Sequence, residues 1–172
     1  MTRRASAKRA ALALTLSLLL GGCAGLLVNP AHIAPGTLAE QVVATLGQPT
    51  ARYPLPGGGQ RLQYSQEPMG YCVYNVDLDA QGRTVRVEQT LDDALFAQRI
   101  APDHWTREDV LREYGPPMRR MTVHNFDGQI WVWRYYQVIA GPRQLYIDVD
   151  RGGVVRGYST VDESLLYGRQ AR

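Results

Sequence analysis

The chain repeats itself, and an internal repeat fixes an architecture before any single element is assigned. Ile33, Ala34 and Pro35 return as Ile100, Ala101 and Pro102, 67 positions later. Val42, Gly47, Pro49 and Arg52 return as Val110, Gly115, Pro117 and Arg120, all 68 later. Gly59, Gln60 and Tyr64 return as Gly128, Gln129 and Trp133 at 69, and Asp77 and Asp79 as Asp148 and Asp150 at 71. The offset drifts in loops and holds within elements, as a duplicated fold requires.

Each copy begins with a helix signal. Thr37 with Glu40, and Thr106 with Asp109, have capping-box spacing, the second with the shorter acid. Apolar stripes follow: Leu38, Val42 and Leu46, then Val110, Leu111 and Tyr114. Gly47 and Gly115 stand where a left-handed cap wants glycine, and Pro49 and Pro117 forbid continuation. Alternation then predicts three strands per copy, 60–66, 71–79 and 83–90, then 129–138, 143–150 and 153–161. Between the copies, Leu91–Ile100 reads as a short helix capped by Thr90. The expected class is α+β: two tandem units over 35–90 and 91–161, each one or two short helices packed on a three-stranded antiparallel sheet. Residues 162–172 remain as a C-terminal tail.

The N-terminus is of another kind. Arg3, Arg4, Lys8 and Arg9 precede eleven uncharged residues, Ala10–Leu20, and then Leu20-Gly21-Gly22-Cys23. A basic start and a short apolar core form a secretory signal peptide, here 1–22, and eleven residues fall short of the roughly 20 that span a bilayer. The final four residues resemble a lipobox, which implies cleavage before Cys23, diacylglycerol on that thiol and a lipidated tether over 23–34. The membrane-lipid partner is thus reached through acylated Cys23. Ala24 in place of the Asp that would favour the inner membrane points to the periplasmic face of the outer membrane. Loss of the segment lowers Lys and Arg from 19 to 15 against 16 acids, so the basic balance belongs to the precursor and implies no nucleic-acid partner.

The order of Ile33-Ala34-Pro35-Gly36, a capped helix ending Leu46-Gly47-Gln48-Pro49, an aromatic-rich strand and a closing hairpin resembles the SmpA/OmlA (BamE-like) family of outer-membrane lipoprotein domains. Its similarity runs over 33–90 once and about 91–161 again. The resemblance implies a non-enzymatic scaffold that binds an envelope protein, in outer-membrane β-barrel assembly or envelope integrity. Tandem copies of a similar unit also occur in β-lactamase inhibitor proteins, which leaves open a periplasmic inhibitor or sensor of one secreted enzyme.

Asp77-x-Asp79-x-x-Gly82 has the start of a calcium loop but lacks its third oxygen ligand, and reads as a turn. His32, His104 and His124 are scattered, so no metal site is expected. Cys72 is left alone once Cys23 is lipidated; alternation puts it with Tyr74, Val76 and Leu78 on an apolar face, as core. No nucleophile–base set, phosphate loop or cofactor motif stands out, so neither enzyme activity, a cofactor nor a small-molecule substrate is expected. Trp131, Trp133 and Tyr135 share one face of a strand, with Arg134 and Arg143 nearby. An open face of this composition is a partner-binding surface; the same stripe is core if the two copies bury both faces.

Overall fold

The computed structural model describes residues 29–167; the signal segment, the lipobox and Cys23 lie outside them. The chain opens with a 3-10 turn, Pro30–His32, then α1 (Ala39–Leu46), β1 (Ala51–Pro54), β2 (Gln60–Ser65), β3 (Val73–Leu78) and β4 (Thr84–Gln89). A linking helix, α2 (Asp93–Arg99), leads to α3 (Arg107–Tyr114), β5 (Arg119–Met121), β6 (Gly128–Gln137), β7 (Gly141–Asp150), β8 (Val155–Asp162) and α4 (Glu163–Tyr167). Two four-stranded antiparallel sheets result, β1-β2-β3-β4 and β5-β6-β7-β8. The fold is α+β, in two tandem units.

The duplication extends to irregularities. Each sheet carries a bulge at the same place, Asp77/Leu78 and Asp148/Val149. Each has an isolated bridge from the residue before its helix to the last turn, Leu38 to Arg83 and Thr106 to Val154. Asp79 and Asp150 close those turns: Asp79 Oδ1 accepts from Arg83 N at 2.8 Å and Asp150 Oδ1 from Val154 N at 2.8 Å. That is the asparagine/aspartate turn chemistry which favours the residue.

Four expectations are corrected. Each sheet has four strands, because β1 and β5 are short edge strands of four and three residues held by pairing to β2 and β6. All of β5 is exposed, so no apolar alternation marked it. Thr37 does not cap α1: its hydroxyl turns back to Ala34 O, and Leu38 is the N-cap, its N–H bonded to Gln41 Oε1 at 3.3 Å. The complete capping box is the one at Thr106, where Oγ1 and N both meet Asp109 and Asp109 N–H returns to Oγ1. Thr90 is buried and Asp92 caps α2, accepting from Ala94 N at 2.8 Å. The tether and the tail are also shorter than expected. Pro30 is buried and Ile33 packs on the first core, while 163–167 form α4 against β7.

The cores follow the alternation. In the first unit Val42 and Leu46 of α1 meet Leu62, Val76 and Leu78 of the sheet. In the second, Val110 and Tyr114 of α3 meet Trp131, Trp133, Tyr135, Leu145, Ile147 and Val149. Phe96 and Ile100 of the linker and Val73 of the first sheet join this second cluster. Each fully buried large side chain contributes about 1.5–3 kcal/mol by leaving water. The second core is the larger of the two.

Candidate interaction site

The aromatic stripe is core. Trp131 is 4% exposed and Trp133 and Tyr135 are 0%, so the open-face expectation for them is corrected. Residues of α2 and α3 pack on the stripe, while on the other face of β6 Glu163 of α4 holds Arg134 and Tyr136 stays open to water. Phe96 meets Tyr135 edge-to-face at 5.2 Å and Tyr114 meets Trp133 at 6.0 Å, while the Trp133 indole N–H donates to Tyr114 O at 3.0 Å. The Tyr135 hydroxyl donates to Asp93, and burial followed by that carboxylate pushes it up to about 12.

The expected rim arginines are internal ties. Arg134 grips Glu163 at 2.7 Å through two nitrogens, donates to Tyr71 Oη at 2.6 Å and lies 4.6 Å over the Tyr71 ring. Arg143 donates to Tyr135 Oη at 3.0 Å and Thr160 Oγ1 at 2.9 Å. Cys72, expected in the core, sits just before β3 and is only half-buried; its thiol is pushed up by that partial burial.

The polar face of the first sheet, by contrast, is sealed. Its cover is the C-terminal end of α3, where Leu111 O accepts the Gly115 cap N–H and the carbonyls beyond it need partners from outside the helix. Gln63 Nε2 donates to Leu111 O at 3.3 Å and Arg112 O at 3.2 Å, Asn75 Nδ2 and Thr90 Oγ1 donate to Glu113 O, and Tyr53 Oη donates to Leu111 O. Arg61 anchors the junction, with Nε 2.7 Å from Asp77 and Nη1 2.6 Å from Glu113. Arg99 closes it from α2, paired to Glu113 and to Glu88. Burial works against the Asp77 charge, but the guanidiniums of Arg61 and Arg86 outweigh it and hold the carboxyl below its ordinary value. The sequence signal was the matched polar set Arg61, Gln63, Asn75 and Asp77 on one face, which reads equally well as a solvated side.

Exposed apolar side chains gather at one end of the second sheet. On the β6–β7 hairpin Tyr136, Val138 and Ile139 are 56%, 89% and 99% exposed. Met69, in the β2–β3 loop, joins them: Glu67 of that loop accepts the Arg134 N–H at 2.9 Å, and Tyr71 meets Tyr136 edge-on at 6.4 Å. Leu165 of α4 is exposed nearby. Near the base, Asp93 accepts from Gln137 and faces Arg143, Asp162 lies opposite Arg143 in the register, and Asp92 caps the adjoining helix; Asp92 and Asp162 have no ion-pair partner among the described residues. At the opposite end of the same sheet a cavity of about 570 Å³ opens between α3 and the β5–β6 loop.

Among the described residues no group of His, Cys, Asp and Glu is arranged to hold a metal ion, and no helix is long and apolar enough to cross a membrane. No family model matches the chain, and no curated protein matches it. Among solved structures it is similar to a DUF4309 family protein, YjgB, from Bacillus subtilis subsp. subtilis str. 168. The two share 16% identity over 73% of this chain and 78% of that one, at a TM-score of 0.28. A likeness this loose carries no argument about function.

Proposed function

We propose that the protein is a lipid-anchored periplasmic scaffold of the outer membrane, with no enzymatic activity of its own. In this reading it grips an envelope protein through the hairpin end of its second unit. The observation that carries the reading is the exposure of Tyr136, Val138 and Ile139 on one hairpin, beside the loop that carries exposed Met69, since soluble domains seldom leave such side chains bare without a use. The acidic surround argues for a protein with basic residues over an anionic lipid surface. The lipobox at Cys23 supplies the envelope address, and the likeness to SmpA/OmlA domains makes outer-membrane β-barrel assembly the first process to test.

The test is co-purification from solubilised outer membranes at native abundance. Val138→Ser combined with Ile139→Ser is expected to abolish capture of the partner, with the melting temperature unchanged because both side chains lie in water. Retained capture sinks the reading. Recovery of a single secreted enzyme in place of barrel-assembly subunits would favour the inhibitor alternative.

A further inference from the structure

The cavity beside the second unit's helix is lined by Arg107, Leu111, Arg120, Phe126, Trp131 and Val149, a combination of apolar walls and guanidiniums. Each cation is positioned. Arg120 stacks over the Trp131 ring at 4.3 Å, which fixes its plane and leaves its edge donors free. Trp131 is itself fixed, buried and donating its indole N–H to Gln129 at 3.3 Å. Arg107 lies across the turn at Gly153: its N–H bonds Gly153 O at 2.8 Å, and a Cβ there would come within 2.8 Å of the Arg107 Nε. Glycine at that turn therefore leaves the space the guanidinium occupies.

Neither cation is neutralised. The cavity's two acids are engaged elsewhere: Asp127 pairs with Arg151 at 2.8 Å, and Asp150 takes Arg156 at 2.8 Å and the Val154 N–H. No acidic side chain among the described residues pairs with Arg107 or Arg120. The first unit serves as an internal control. Its matching positions are Ala39, Arg52, Leu62 and Gly82, with Arg52 turned to Gln60 at 3.2 Å, so it has neither the cation pair nor the indole floor. The second copy has both.

We propose that this cavity binds a small ligand carrying an anionic group, carboxylate or phosphate, on a flat apolar body. The anion lies between Arg107 and Arg120, in the fork geometry that suits planar oxyanions. The apolar body lies against Phe126 and Leu111, over the cavity floor to which buried Trp131 contributes. This site is separate from the hairpin end, so the partner-binding reading and this one stand or fall apart.

The test is an NMR titration of the isotope-labelled full chain with naphthoate, naphthyl phosphate and neutral naphthamide, read at the Trp131 indole N–H. An anion is expected to shift that resonance to saturation, with naphthamide binding at least about tenfold more weakly. Arg107→Gln and Arg120→Gln, which keep the aliphatic stems, should each weaken the anion by about tenfold or more, and Arg52→Gln should not. The tighter of the two anions identifies the natural group as carboxylate or phosphate. The proposal is overturned if neither anion saturates, if naphthamide binds as well, or if both arginine variants bind like the native chain.

Discussion

Glu67 and Trp133 show how one residue's surroundings decide its sign. Glu67 Oε1 accepts the Arg134 N–H, while Oε2 is buried without a partner. Burial, only partly offset by Arg134, raises this carboxyl to about 7. A folded-state value above the unfolded one favours the protonated form, so its contribution is whole below the ordinary carboxylate range and is lost as pH rises towards 7. Glu67→Gln should therefore match the native melting temperature at pH 4 and exceed it at pH 8; an equal gap at both would refute the assignment. Trp133 has no such ambiguity. Trp133→Ala removes a fully buried ring and the donor to Tyr114 O, and should cost about 3–5 kcal/mol in urea unfolding.

At the level of elements, the two helix ends look alike in sequence and differ in what surrounds them. Gly47 and Gly115 both hold positive φ, +84° and +68°. An added Cβ at Gly47 meets nothing within 4 Å, whereas at Gly115 it falls 2.8 Å from Gln63 Oε1. Both have ψ near −170°, a region essentially confined to glycine, so Gly47→Ala should cost about 1–3 kcal/mol. Gly115→Ala should cost clearly more, because Gln63 must also release the α3 carbonyls; equal losses in denaturant would show that Gln63 simply moves aside. The glycines, hairpin turns and repeat offset made six of the eight strands and the helices α1, α2 and α3 legible in sequence; α4 was read as tail. The edge strands were not, since three or four residues such as Arg119–Met121 pair without burying anything. The junction was not legible either, because the groups that satisfy Gln63 and Asn75 are backbone carbonyls about 40–50 residues away, which no side-chain pattern encodes. Alternation placed Trp131, Trp133 and Tyr135 on one face correctly; it carries no information about what lies over that face.

The whole molecule behaves as one body through α3, which gives its apolar side to its own sheet and its carbonyl end to the other. The chain's three tryptophans, Trp105, Trp131 and Trp133, all belong to the second unit, so indole fluorescence reports that unit while far-ultraviolet circular dichroism reports both. The two urea transitions should coincide. Arg61→Ala removes the cation shared by Asp77 and Glu113, 5% and 9% exposed, which keep Arg86 and Arg99; it should lower the common midpoint and reduce unfolding stability by about 3 kcal/mol. Separation of the two transitions in the native chain would overturn the single-body view.

The arginine row of the first sheet also bears on how far such a chain can grow. Across β2, β3 and β4, register sets Arg61, Asp77 and Arg86 side by side; across β6, β7 and β8 the matching row is Ile130, Asp148 and Gly157. The donors that receive a neighbour's helix end are missing, Val132 stands where Gln63 would be, and Glu163 of α4 already occupies Arg134. The first sheet is a socket and the second is a blank. A third copy appended after Asp162 would find no seat of this kind on the second sheet, so stacking through a helix end has a direction in this fold.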